Sequence, residues 1–109
     1  MGIRLERLSK AIQEEISSLL RDKLDPSEWG WISVTAVKLS KDLRDAVVFI
    51  TVFPEGKEKR ALERLNSLGG VIRKHLARRL DTKTVPKLKF EIDTLTKLVE
   101  KGKLNPPEM

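Results

Sequence analysis

The residues of this chain that are best able to do chemistry form a basic set in its second half. The set consists of Arg73, Lys74, Arg78, Arg79, Lys83, Lys87 and Lys89. The first four fall within seven residues, so a helix would present several of them together. Such an array can contact several phosphate groups at once, with an affinity that falls steeply as salt is raised. The spacing therefore favours a polyanionic partner.

The distribution of charge supports this interpretation. Residues 56–89 hold eleven Lys and Arg against three acids, a net +8, whereas the rest of the chain is net −2. The excess positive charge therefore belongs to one contiguous third of the chain. The alternative, in which these side chains only solvate the surface and keep the protein in solution, stays open.

Residues for catalysis or metal binding are few. The chain has no cysteine, which excludes disulfides and thiolate metal sites, and its single histidine, His75, lacks partners for a His-based zinc site. His75 lies within the basic stretch, where a surface or phosphate-facing role is expected. Neither GxxxxGK(S/T) nor GxGxxG occurs, and Gly69-Gly70 lacks the residues of a phosphate cradle. We predict no enzyme, no metal, no cofactor and no small-molecule substrate.

Length and hydropathy predict a soluble cytoplasmic protein with one main domain in its 109 residues. The longest apolar run, residues 46–53, is interrupted by Thr51 and is far shorter than the ~20 residues that span a bilayer. The N-terminus has no apolar stretch of a secretory signal, and no membrane association is expected. We also expect a monomer, because the like charges of the basic set would repel one another in a symmetric dimer.

The elements that must position the basic set begin with a helix and a hairpin. Apolar residues recur at spacings of three and four through residues 3–24, which predicts a helix that ends before Pro26. Residues 27–30 are predicted to form a loop. Residues 31–39 and 44–53 are rich in β-branched side chains, which predicts two antiparallel strands.

The turn between these strands spans residues 40–43. In this turn the side chains of Ser40 and Asp42 can bond the local backbone, which favours a tight connection between the strands.

The apolar pattern of residues 57–80 predicts two helical segments with a break at Gly69 and Gly70. Each glycine inside a helix costs ~0.8–1.0 kcal/mol relative to alanine, so two in a row suggest a kink. We expect Gly70 to adopt a positive φ there. The alternative is a close-packed glycine pair inside one straight helix.

A third strand is predicted over residues 84–93, and residues 94–102 could form a short final helix. We assign residues 1–94 to the main domain and 95–109 to a short C-terminal helix or flexible tail. The order is helix-strand-strand-helix-kink-helix-strand, which predicts an α+β fold with a three-stranded sheet covered by helices on one face.

Aromatic residues are few, and Phe49, Phe53 and Phe90 are best interpreted as core. This favours recognition of backbone and shape over base stacking. Trp29 and Trp31 are the exception, because they either stack on bases or pack over the end of the sheet.

Several segments between Arg4 and Asp93 together resemble the bacterial ribosome-binding factor A family. They are Arg4 and Arg7, Ile12, Glu15-Ile16, Asp25-Pro26, Val34 to Leu43, Ala46, Gly70 to Arg73, Leu80, and Val85 to Phe90 with Asp93. The resemblance implies a type II KH-like domain, in which an Ala-x-Gly kink replaces the Gly-x-x-Gly loop of RNA-binding KH domains. The matching residues here are Leu68, Gly69 and Gly70, with leucine in place of the usual alanine.

The resemblance also implies a function. A member of this family is expected to bind the free small (30S) ribosomal subunit, to assist its late maturation and to support 16S rRNA processing near the 5′-terminal helix region. The basic set would then be the main RNA-facing surface. Two alternatives remain open: a general KH-like RNA-binding module without ribosome specificity, and an interaction domain for an acidic protein.

Overall fold

The N-terminal residues with the amphipathic pattern form a helix, the first of seven elements. The computed structural model describes residues 2–82 and 84–95. The elements are α1 Gly2–Lys23, α2 Pro26–Trp29, β1 Trp31–Leu39, β2 Asp45–Phe53, α3 Glu58–Ser67, α4 Gly69–Arg79 and β3 Lys87–Ile92. Their order matches the predicted one, with the short helix α2 in addition. Lys83 and the predicted C-terminal helix or tail beyond Leu95 lie outside the described residues.

The three strands form one sheet in the order β1-β2-β3. β1 and β2 pair antiparallel, from Trp31 opposite Phe53 to Leu39 opposite Ala46, which confirms the predicted hairpin. β3 pairs with β2 in the parallel sense, so the chain must cross from one end of the sheet to the other between them. The helices α3 and α4 make this crossover.

A β-bulge at Thr35 keeps the apolar side chains of β1 on one face. The register shifts between Val34 and Ala36, so Val34 lies opposite Ile50 whereas Val37 lies opposite Val48. Without the extra residue, strand alternation would send the apolar residues after the bulge to the opposite face from those before it. The sequence pattern of β1 did not indicate this bulge.

One face of the sheet carries the core. Alternate residues of β2, from Ala46 to Val52, are buried, and Phe90 of β3 joins them. The helices cover this face with apolar stripes, whose buried members are Ile12, Ile16, Leu19, Leu20, Ala61, Leu65, Ile72 and Leu76. The predicted α+β fold, with helices on one face of a three-stranded sheet, is therefore confirmed.

The other face of the sheet, here called the open face, has no described helix over it. Its residues are Trp31, Ser33, Ala36, Lys38, Asp45, Val47, Phe49, Thr51, Phe53, Lys87, Lys89 and Glu91. The prediction that Phe49 and Phe53 belong to the core is wrong. Both alternate with the buried residues of β2 and therefore point away from the helices. Phe90 is buried, as predicted.

Residues 27–30, predicted as a loop, instead belong mostly to one turn of helix. Pro26 suits the first helical position because its φ is fixed, and the carboxylate of Asp25 accepts a hydrogen bond from the Ser27 N–H at 2.9 Å. Gly30 ends the turn at φ 80°. A Cβ on Gly30 would lie 2.9 Å from the carbonyl oxygen of Phe53, so only glycine lets the chain pass this closely into β1.

The predicted break between the two central helices exists, but it lies at Leu68. Leu68 has φ −90° and ψ 2°, and its N–H bonds to the carbonyls of Arg64 and Leu65. This backbone geometry is open to any residue, so the bend does not need a glycine in a left-handed conformation. The prediction of a positive φ at Gly70 is wrong, because Gly69 and Gly70 form the first turn of α4. Apart from the adjacent residues and the backbone of α4 itself, no described atom lies within 4 Å of a Cβ placed on either glycine.

The hairpin turn is held by Ser40 and Asp42, as predicted. Asp42 Oδ1 accepts from Ser40 Oγ at 2.8 Å and from the Arg44 N–H at 3.1 Å, and Ser40 Oγ accepts from the Asp45 N–H at 3.0 Å. Inside this network Leu43 takes φ 61°, which is uncommon for a non-glycine residue. The hydrogen bond from Ser40, followed by that from Arg44, lowers the pKa of Asp42.

Replacing Gly70 and Gly30 by alanine should change the free energy of unfolding in opposite directions. Gly70→Ala should raise the free energy of unfolding by ~0.4–1 kcal/mol, because the site is helical, exposed and open to a methyl group. Gly30→Ala should lower the free energy of unfolding, because its φ is positive and a carbonyl oxygen blocks the Cβ. Urea unfolding of both variants checks this. A destabilised Gly70→Ala variant would contradict the geometry described here.

The charge of Asp42 should stabilise the turn in a pH-dependent way. Because folding lowers the pKa of Asp42, its charge stabilises the fold above the pKa of the unfolded chain, and this contribution disappears as the pH falls through the folded pKa. Asp42→Ala should therefore melt below the wild type at pH 7, with a gap that narrows in acid. Thermal unfolding followed by circular dichroism measures the difference in melting temperature between the variant and the wild type. An equal difference at pH 7 and in acid would show that the charge of Asp42 contributes nothing to stability.

Candidate nucleic-acid interface

The helix α4 positions the centre of the basic set. Ile72 and Leu76 are buried at a spacing of four residues, which fixes the rotation of the helix about its axis. Lys74 and Arg78, also four apart, are consequently exposed on the solvent side. Among the described residues, neither cation has a carboxylate within 4.0 Å. Both charges are available to an external anion.

Arg73 is exposed beside this pair, but it already makes a contact. Its guanidinium donates to the carbonyl oxygen of Val85 at 3.0 Å. The bond connects α4 to the segment that leads into β3. A guanidinium has further N–H donors, so Arg73 can hold this segment and still face a phosphate.

Arg79 is part of a contact between α1 and α4. Its Nε lies 3.2 Å from Oε1 of Glu15, and Nε2 of His75 lies 3.1 Å from the same oxygen. The side chain of Glu15 is only 25% exposed, so this carboxylate sits between the two helices. Arg79 is therefore charge-paired, and His75 faces Glu15 of α1 instead of open solvent.

Lys87 and Lys89 lie on a different surface from α4. In β3 they alternate with Leu88 and Phe90, which pack against the core, so they point to the open face. Nζ of Lys89 is 3.3 Å from a carboxylate oxygen of Glu91. The fold thus divides the basic set, with four members on α4 and two across the sheet from it. Lys83, the remaining member, is outside the described residues.

Further cations, which no sequence pattern assigns to the interface, gather beside the end of α4. A groove of about 1000 Å³ lies where the start of α1, the β1–β2 turn and the segment after α4 meet. Arg4, Arg7 and Lys41 line it, with Asp81 as the acid. These cations are far apart in the sequence and share no periodicity, so only the fold reveals their proximity.

The two tryptophans separate in the structure. Trp29 packs against the core, and the guanidinium groups of Arg60 and Arg64 lie 4.9 and 5.6 Å from the centre of its ring. These distances are typical of cation–π contacts. Trp31 is 65% exposed on the open face. The sequence left two alternatives for these tryptophans, stacking on bases or packing on the protein. Packing applies to Trp29 alone.

No group of three or more His, Cys, Asp or Glu residues that could hold a metal ion occurs within residues 2–82 and 84–95. Within the same residues, every helix is too short or too polar to cross a membrane. The surface that stands out in the described chain is thus a cationic one, with Lys74 and Arg78 at its centre.

The fold defines a class of protein, an α+β domain of the KH-like type, and here its second crossover helix is basic. The pattern of residues through this domain is more specific than the fold. The chain belongs to the ribosome-binding factor A family, whose profile matches residues 4–103.

Relatives with this name are similar to the chain over most of its length. Ribosome-binding factor A of Macrococcus caseolyticus is 39% identical over 94 residues, which cover 85% of this chain and 82% of the relative. The crystal structure of ribosome-binding factor A from Thermus thermophilus is 27% identical with a TM-score of 0.73, covering 81% of this chain and 93% of that one.

A homology model of the Thermus thermophilus protein, fitted into the cryo-EM map of a 30S–RbfA complex, is also similar. It is 30% identical with a TM-score of 0.61, covering 80% of this chain and 88% of that one.

Two neighbouring arginines should differ in their effect on stability. Arg79→Ala should lower the free energy of unfolding by up to ~1 kcal/mol, because it removes a partner of Glu15. Arg78→Ala should change it by less than ~0.5 kcal/mol, because that side chain has no described ion pair. Urea unfolding compares the two. Equal effects would contradict the division between a structural and a free cation.

Proposed function

We propose that this protein is a ribosome assembly factor that binds the free small (30S) ribosomal subunit through its rRNA. The observation that carries the proposal is the exposed pair Lys74 and Arg78 on α4, which has no described carboxylate partner. Membership of the ribosome-binding factor A family supports ribosomal RNA as the polyanion. The fit of a Thermus thermophilus relative into a map of a 30S–RbfA complex supports the same partner.

The chemistry of α4 suits a phosphate backbone. Each phosphate neutralised by Lys or Arg releases counterions, which makes binding strong at low salt and weak at high salt. The bend between α3 and α4 lies at Leu68, and no Gly-x-x-Gly sequence occurs there. Binding through the loop of RNA-binding KH domains is therefore not part of the proposal.

The finer function is a role in late maturation of the subunit. Bound near the 5′-terminal helix region of 16S rRNA, the protein would favour one arrangement of that RNA and so promote its processing indirectly. The proposal is one of binding and not of catalysis, and it needs no cofactor or small-molecule substrate. The protein would act as a monomer in the cytoplasm.

Sedimentation of a cell extract tests the proposed partner. The protein should migrate with free small subunits and be absent from translating ribosomes. Migration with RNA of all sizes would instead support a general KH-like RNA-binding module. Migration with a partner that resists nuclease would support an interaction domain for an acidic protein.

The salt dependence of subunit binding should report the free cations of α4. Lys74→Ala/Arg78→Ala should weaken binding to purified small subunits and lower the slope of log K against log [salt] by about two units. The matched control is Lys10→Ala/Lys23→Ala, which removes two exposed cations from α1 and should leave the slope nearly unchanged. Wild-type affinity of the α4 variant at every salt concentration would exclude α4 as the interface.

A further inference from the structure

The open face of the sheet combines exposed aromatic rings with lysines. Trp31 and Phe53 lie directly opposite each other across β1 and β2, and they are 65% and 69% exposed. Directly opposed side chains on a sheet have Cβ atoms about 4.5–5.5 Å apart, so the two rings form one apolar surface. Phe49 extends it, four residues before Phe53 on the same face of β2.

Lysines occupy the other end of the same face. Lys38 and Lys89 both lie opposite Val47, one on each neighbouring strand, and Lys87 lies opposite Asp45. Of the two acids on this face, Glu91 is 3.3 Å from Lys89. Phe53 lies six positions after Val47 on β2, which is about 20 Å at 3.3 Å per residue. The ring pair of Trp31 and Phe53 is thus separated from the lysines along one strand.

We propose that the open face binds single-stranded RNA, with unpaired bases stacked on Trp31 and Phe53 and phosphates at Lys38, Lys87 and Lys89. Aromatic side chains on a sheet stack two or three unpaired bases in other RNA-binding folds, and lysines neutralise the backbone that joins them. The inference rests on the proposed function, because it takes the subunit RNA as the partner. It adds a second contact surface, across the sheet from α4.

Composition favours RNA over a protein partner on this face. Aromatic rings occur in both kinds of interface, whereas Lys, Ser and Ala are depleted in protein–protein interfaces, and the open face contains Ser33, Ala36 and three lysines. Exposed aromatic rings at one end and lysines at the other match the two parts of a single strand, its bases and its phosphates. A partner that contacted only the aromatic rings would leave the lysines of the open face without a binding partner.

The position of Trp31 is well defined before any ligand binds. Gly30 precedes it at φ 80°, and a Cβ on Gly30 would lie 2.9 Å from the carbonyl oxygen of Phe53 and 3.3 Å from the side chain of Val52. The chain therefore enters β1 against the end of β2, and the backbone of Trp31 is paired with Phe53. A site formed on a paired strand loses little backbone freedom on binding.

Fluorescence of Trp31 provides the test. In a Trp29→Phe background, Trp31 is the single tryptophan, so its emission reports the open face alone. An unstructured oligouridine should quench this emission at low salt, and a blunt RNA duplex of the same length should not. Absence of quenching by oligouridine would overturn the proposal.

Variants at Trp31 separate stacking from general apolar contact. Trp31→Leu and Phe53→Ala should each weaken oligouridine binding at least about tenfold in fluorescence anisotropy with labelled RNA, whereas Trp31→Phe should bind like the wild type. Leu95→Ala, which truncates an exposed apolar residue outside both α4 and the open face, is the matched control and should have no effect. Circular dichroism checks that each variant is folded. Wild-type binding by Trp31→Leu would overturn the proposal.

Small-subunit binding distinguishes this proposal from the proposed function. If the wild type binds small subunits and Trp31→Leu/Phe53→Ala binds them equally well, the open face is not an RNA site and the proposed function stands. If the wild type does not bind small subunits at all, the proposed function itself fails. Crosslinking of Trp31 to a ribosomal protein in place of rRNA would assign the open face to a protein partner and overturn this inference.

Discussion

Within the described residues, the central strand β2 buries only one of its two faces, and this asymmetry organises the protein. Ala46, Val48 and Ile50 take the covered face, where helices from both halves of the chain pack on them. Their alternation with Phe49 and Phe53 then forces aromatic rings into solvent. Because β3 pairs with the same strand, its lysines follow those rings to the open face. One strand thus sets both the core and the open face.

The second organising contact is polar. Glu15 lies between α1 and α4, and its carboxylate receives His75 and Arg79 from the basic helix. This contact adds to the burial of Ile72 and Leu76, which sets the rotation of α4 and leaves Lys74 and Arg78 exposed. Arg79 is paired with Glu15, whereas Lys74 and Arg78 have no described carboxylate partner. A row of like charges along one helix therefore need not act as one site.

Much of the fold followed from local patterns, and its exceptions have identifiable causes. Periodicity in the helices and the β-branched strands predicted the element order, and the chemistry of Ser40 and Asp42 predicted the turn. The position of the bend was missed because Leu68 supplies it with backbone angles that any residue can adopt. The exposure of Phe53 was missed because composition alone does not say which face of a strand is covered.

The bulge at Thr35 has a consequence at the rim of the sheet. β1 is an outer strand, and its free backbone groups could template pairing with another chain. An extra residue in mid-strand bends and twists that edge, so a flat intermolecular sheet cannot extend along it. The opposite edge is formed by β3, a strand of only six residues that carries two lysines. Both rims of the sheet are therefore poorly suited to edge-to-edge aggregation, although no described helix covers the open face.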